Sequence, residues 1–174
     1  RVAPAENNLP YREASRINIH RDTWGTNLYQ QINWWAPVSN VEEKNTMIFY
    51  PDYFDVPVKN TTSTWDLNIY LANRKKGDFS YPSAPQLKED LPSNIKKIPV
   101  TIKPGEILCF SGAHLHSSSK EKSENTRISF EIRTICENDL NSSAQAPNVD
   151  CDLQWKFPKI FKKINDNSPL KITS

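Results

Sequence analysis

The chain predicts a mostly β fold, an antiparallel sandwich or barrel of the jelly-roll kind. Three observations carry this. Thirteen prolines and only four glycines among 174 residues break the sequence into short runs. Several runs alternate apolar and polar residues with the period of two that a half-buried strand requires. No helical stretches separate them, as a parallel α/β chain would need.

The elements follow in order. Residues 1–15 are polar, contain Pro4 and Pro10, and read as an arm or loop. Residues 16–20 alternate and read as a short strand, and 20–25 as a turn. Residues 27–36 are the clearest strand, with Leu28, Ile32 and Trp34 on one face and Tyr29, Gln31, Asn33 and Trp35 on the other. Pro37 ends it. Residues 46–50 form a second apolar strand, stopped by Pro51. Residues 52–95 show no clear period beyond a candidate strand at 67–71, and a segment that long reads as a functional loop or lid. Residues 98–103 and 106–111 read as strands joined at Pro104-Gly105, with Pro at the first corner of the turn and Gly at the second. Residues 126–135 are a strong strand, with Ile128, Phe130 and Ile132 opposite Arg127, Ser129, Glu131 and Arg133. In the polar tail 137–174, Trp155, Phe157, Ile160, Phe161 and Ile164 suggest a short helix laid on the sheet. With no repeat and no composition break, residues 1–174 read as a single domain.

Composition removes several function classes. Twenty-two basic against 20 acidic residues leave a net charge of +2, which gives no field for nucleic acid. No apolar run approaches a membrane span. Cys109, Cys136 and Cys151 are odd in number and contain no CxxC pair, which fits reduced thiols in a cytoplasmic protein. Asn60-Thr61-Thr62 and Asn141-Ser142-Ser143 match the glycosylation pattern, a match that an Asn- and Ser-rich chain produces by chance.

The chemistry gathers around three histidines, His20, His114 and His116. His20-Arg21-Asp22 at a strand end puts an imidazole and a carboxylate within reach of one ion. A distant His completes two nitrogens and one oxygen on one octahedral face, leaving three positions open, as in the iron(II) oxygenases. His114 and His116 have the same strand parity, so parity leaves both open as the third ligand. Arg127 and Ser129 share a face, and a guanidinium fork beside a hydroxyl can grip a carboxylate. Tyr29, Gln31 and Asn33 follow the metal step on one face and are expected to line the site and touch cosubstrate or substrate. Arg133 lies six residues beyond Arg127, about 20 Å along an extended strand, too far for both to serve one small ligand.

His20-Arg21-Asp22, Pro104-Gly105-Glu106 leading to Phe110-Ser111-Gly112, Leu115-His116-Ser117, Asn125 and Arg127-Ile128-Ser129 together resemble the 2-oxoglutarate/Fe(II)-dependent dioxygenases, most closely the phytanoyl-CoA-hydroxylase-like branch. The resemblance spans residues 16–135. It implies a double-stranded β-helix, Fe(II), 2-oxoglutarate and O2 as cofactor and co-reactants, and release of succinate and carbon dioxide. It further implies His20, Asp22 and His116 as the metal ligands, His116 being favoured because it stands before Ser117. Arg127 then anchors the cosubstrate and Ser129 assists it. Asp22 supplies the carboxylate that the related halogenases lack. Family members carry many residues before the H-x-D step, and this chain carries nineteen, starting at Arg1. An N-terminally truncated domain is therefore expected, with the 137–174 tail, a further N-terminal segment or a homo-oligomer covering the apolar sheet faces.

The expected activity is hydroxylation of a C–H bond in a small-molecule substrate, a sugar or an amino compound. Two other classes carry distinct expectations. A cupin-like isomerase or epimerase would use a His and a carboxylate or Tyr as its acid–base pair, without iron. A non-catalytic ligand-binding jelly roll would bind metal or ligand and form no succinate.

Overall fold

A computed structural model describes residues 2–3, 17–119, 123–142 and 144–171. Among these the protein is mostly β, arranged in two antiparallel sheets. The larger sheet contains β1 (Val2–Ala3), β7 (Arg127–Thr134), β2 (Ile32–Pro37) and β5 (Leu108–Ser111), in that order. The smaller contains β4 (Ile98–Pro99), β3 (Met47–Phe49) and β6 (His116–Ser118). Three helices are described: α1 (Thr23–Thr26), α2 (Leu67–Lys75) and α3 (Glu137–Leu140).

The sheets meet over an apolar core. Trp35 of β2 and Phe110 of β5 pack with Met47 of β3 and Val100, and Phe49, Leu108, Val41 and Ile102 close around them. Each large side chain buried here is worth roughly 1.5–3 kcal/mol relative to exposure. A second cluster joins Trp24, Tyr29, Tyr50, Leu115, Cys151 and Leu153, tying the H-x-D step and β6 to the chain after residue 150.

Beside Trp35 and Phe110, the inner face of the larger sheet carries polar residues, and its outer face carries apolar ones. Its inner face carries Arg127, Ser129 and Asn33, all buried. Its outer face carries Ile128, Phe130 and Ile132, which are 44, 45 and 55% exposed, beside Trp34 at 39%. Cross-strand register puts Trp34 opposite Ile132 and Ala36 opposite Phe130, so these residues form one apolar outer surface.

Several elements differ from the sequence reading. The strand expected over 27–36 begins only at Ile32. Residues 29–30 form a turn, so Tyr29 joins the Trp24 cluster and does not share the Asn33 face. The alternation of Leu67, Ile69 and Leu71 suggested a strand, yet the segment is helix α2. Asp66 caps it, accepting from the Asn68 and Ile69 amides at 2.6 and 3.2 Å, and Arg74 and Lys75 sit at its C-terminal end. Only Ile98–Pro99 of the 98–103 run pairs in a sheet. The aromatic cluster of the tail forms no α-helix, only a 3-10 turn at Pro158–Ile160. It divides instead: Phe161 packs with Leu28 and Leu170, Trp155 joins the Trp24 cluster, and Ile164 is 97% exposed. The outer face of the larger sheet therefore stays uncovered by those residues. The Pro104-Gly105 turn forms as expected, with Gly105 at φ 96° and the Glu106 amide donating to the Lys103 carbonyl at 3.0 Å. Cys109, Cys136 and Cys151 are all unpaired.

Candidate metal centre

Two backbone pairings bring the distant histidines together. His116 lies in β6, opposite Phe49 on one side. On the other side it forms an isolated antiparallel bridge with His20, the two residues exchanging both backbone hydrogen bonds at 2.9 Å. Directly opposed residues point to the same face, and the two rings stand 4.4 Å apart. After His20 the chain turns into α1, where Asp22 is the N-cap and the Thr23 amide donates to the Gly112 carbonyl at 3.2 Å. That turn swings the Asp22 carboxylate back toward the two rings.

The three side chains converge. One ligand atom from each of His20, Asp22 and His116 lies within 4.8 Å of the others, and all three residues are buried. Asp22 Oδ1 is 3.5 Å from His20 Nε2, and Asp22 Oδ2 is 3.7 Å from His116 Nε2. Ligands about 2.1 Å from a shared ion and adjacent in an octahedron are about 3 Å apart. A small inward movement would therefore suffice to hold a divalent cation.

The orientation of each ligand is set from behind. His20 Nδ1 contacts the Asn18 carbonyl and His116 Nδ1 the His114 carbonyl, each at 2.9 Å and each two residues back along the chain. A carbonyl can only accept, so Nδ1 carries the proton and Nε2 presents its lone pair to the site. Asp22 is held by a line of amides. Thr26 Oγ1 donates to Gln31 Oε1 at 3.3 Å, Gln31 Nε2 donates to Asn33 Oδ1 at 2.8 Å, and Asn33 Nδ2 donates to Asp22 Oδ2. Gln31 and Asn33 are fully buried, behind the carboxylate. Gly112 leaves them room, because a Cβ there would sit 2.9 Å from Gln31 Nε2 and 3.5 Å from Asp22 Cβ.

Charge completes the donor set. Burial opposes ionisation of Asp22 most strongly, but its contacts with His20, His116 and Arg133 together outweigh it. They hold the carboxyl well below its usual range. Burial, with the neighbouring His20 charge, pushes the His116 ring down to about 4. At neutral pH Asp22 is thus an anion and His116 a neutral ring. Two imidazole nitrogens and one carboxylate with open positions suit a ferrous ion.

The other expected residues distribute as follows. His114 does not reach the cluster; its ring lies between Phe49 and Phe54, at 5.5 and 4.6 Å. Arg127 and Ser129 are buried together at the far end of the inner face. The Arg127 guanidinium carbon lies 5.6 Å from the centre of the Trp35 ring. Phe110 and Phe49 lie 5.4 and 5.8 Å from His116 and pack in the cluster that contains Trp35. Tyr29 lies in the Trp24 cluster behind the H-x-D step.

Two contributions were not apparent from the sequence. Arg133, set aside on distance from Arg127, reaches the triad itself: its Nη2 donates to Asp22 Oδ1 at 2.9 Å and its Nε to Glu131 Oε1 at 3.0 Å. The signal was the strand register, which sets Arg133 opposite Asn33. Arg21, the middle residue of H-x-D, points away from the site and is 2% exposed. Its guanidinium donates to Asp150 Oδ2 and to the carbonyls of Tyr53, Phe54, Val56 and Ala113. Asp150 also accepts from Trp24 Nε1 at 2.7 Å and the Val58 amide at 3.1 Å. One buried ion pair thereby fastens the 53–58 loop, the turn before His114 and the tail to the ligand segment. Asn60, in one glycosylation pattern, is also buried there: its side chain donates to the Val58 and Asp150 carbonyls and accepts from Thr62, so a glycan at that position conflicts with the fold.

No family model and no curated protein matches the chain. Among solved structures it is similar to EvdO2 from Micromonospora carbonacea var. aurantiaca, determined in complex with 2-oxoglutarate. The two are 10% identical with a TM-score of 0.45, over 78% of this chain and 51% of that one. The chain thus spans about half the length of that structure.

Proposed function

We propose that this chain is an Fe(II)- and 2-oxoglutarate-dependent oxygenase of the double-stranded β-helix type, hydroxylating a C–H bond of a small molecule. The observation that carries the proposal is the convergence of His20, Asp22 and His116, with each Nδ1 turned to a backbone carbonyl. When bound, the ferrous ion with 2-oxoglutarate and dioxygen supplies oxidation of the substrate, coupled to decarboxylation of the keto acid to succinate and carbon dioxide.

The chain's own residues have separable tasks. His20 and His116 offer nitrogen donors, and Asp22 offers the charge. The Gln31–Asn33 amide line keeps the carboxylate from rotating. Arg127 fits the far carboxylate of a five-carbon diacid, because it is a buried cation at the opposite end of the inner face, and Ser129 beside it can add a hydrogen bond. Phe49, Phe110 and Trp35 make the wall between the two ends apolar, which excludes water. For the substrate we retain a sugar or an amino compound.

The test is anaerobic titration of the protein with Fe(II) and 2-oxoglutarate, watching for the visible charge-transfer band of the chelate. The band should appear with the wild-type chain and be lost with Asp22→Ala. In Arg127→Ala the metal should still bind while 2-oxoglutarate affinity falls, by up to about 3 kcal/mol for one buried charged contact. Absence of the band from a folded, iron-loaded wild-type chain would overturn the proposal.

A further inference from the structure

We propose that Arg133 is the counter-ion of Asp22 in the metal-free chain, and that a divalent cation entering the triad displaces it toward Glu131. The inference rests on the triad being a metal site and adds what stands in for the ion before it arrives. The Asp22 side chain is only 4% exposed. A buried carboxylate without a cation is strongly disfavoured. Among its described neighbours only the Arg133 guanidinium is permanently charged, and it touches Oδ1 at 2.9 Å.

The arrangement is suited to exchange. Arg133 sits near the end of β7 with its side chain 39% exposed, so it can move without unpacking the core. Its alternative partner is already in contact: Glu131, two residues back on the same face, lies 2.9 Å from the same Nη2. Asn33, by contrast, is fully buried and would stay on Oδ2. A divalent ion among His20, Asp22 and His116 would place two positive charges within several ångströms of the guanidinium. The ion's repulsion of the guanidinium would then offset the attraction of the Asp22 carboxylate, and Glu131 becomes its better partner. Arg133 is thus a positioning residue whose charge opposes metal entry while it keeps the empty site folded.

The probe is Mn(II), followed by loss of the free-ion EPR signal, together with thermal melts of metal-free and Mn(II)-saturated protein. Wild type should bind Mn(II). Arg133→Gln should bind it about tenfold more tightly or better, while its metal-free form melts below wild type and the gap narrows on saturation. Arg133→Lys, which keeps the charge, should stay close to wild-type affinity. Glu131→Gln, at the partly exposed rim, should weaken Mn(II) binding severalfold and gives a readout if Arg133→Gln does not fold. No binding by wild type would overturn the metal site and this inference with it. Binding by wild type with equal or weaker binding by Arg133→Gln, or unchanged affinity in Glu131→Gln, would overturn the inference alone.

Discussion

Replacing Arg21 with Met tests whether the H-x-D step is held from behind. Met keeps most of the apolar stem, so little packing is lost, while the guanidinium and its contacts disappear. Four carbonyls and one carboxylate oxygen lose their donor. Asp150 keeps Trp24 and Val58 but loses its cation in a site where its side chain is 5% exposed. Removing one partner of a buried pair costs about 3–5 kcal/mol, and water entering from the 53–58 loop would recover part of the carbonyl loss. We expect about 4 kcal/mol, a large share of the 5–15 kcal/mol typical of a domain. At roughly 2–4 °C per kcal/mol for this length, the melting temperature should fall by about 10 °C. Urea unfolding followed by tryptophan fluorescence measures the loss, and a cycle with Asp150→Asn should give a coupling of at least about 1 kcal/mol. An Arg21→Met protein within 1 kcal/mol of wild type, or additive behaviour in the cycle, would refute the reasoning.

Three further outcomes follow from the geometry. The His116 ring is depressed to about 4 in the fold, against about 6.5 when unfolded, so between those values the unfolded chain binds the extra proton. Stability of the metal-free protein should therefore be full above pH 6.5 and fall as pH drops toward 4, by about 3 kcal/mol, and His116→Gln should flatten that slope in urea midpoints measured from pH 7.5 to 4.5. Gly112→Ala would press a methyl against Gln31 and Asp22, costing about 1–3 kcal/mol and weakening Mn(II) affinity; an unchanged affinity would show that the amide line does not set the carboxylate. Asp66→Ala should cost about 1 kcal/mol through loss of the α2 cap and leave metal binding untouched, as read by thermal melts and Mn(II) titration.

What the sequence conveyed depended on how local the cause was. His20 and Asp22 were legible because two ligands separated by one residue need only a turn to meet, and β7 because its alternation is unbroken over seven residues. Arg133 was not, because its place beside Asp22 depends on pairing with Asn33, one hundred residues earlier in the chain. Its distance from Arg127 is set along β7, whereas its contact with Asp22 is set across the sheet. The start of β2 was missed for a related reason. Leu28 and Tyr29 are apolar because they enter two separate clusters, and that mimics the continuation of a strand. Helix α2 hid because it buries no residue, so no apolar stripe marks it, and only the Asp66 cap announces it.

The line from Thr26 through Gln31 and Asn33 has a polarity, since each amide receives on its oxygen and gives from its nitrogen, and it terminates on an acceptor. Exchanging one nitrogen for oxygen, as deamidation of Asn33 would, leaves shape and volume nearly unchanged yet reverses that polarity at its last step. Two carboxylates would then face each other in a dry environment where both cannot ionise. They would share a proton or recruit a cation to separate them, and the carboxylate of Asp22 would lose the donor that fixes its orientation. A difference of a single atom, buried out of reach of solvent, thus decides whether the Asp22 carboxylate meets a donor or a rival charge.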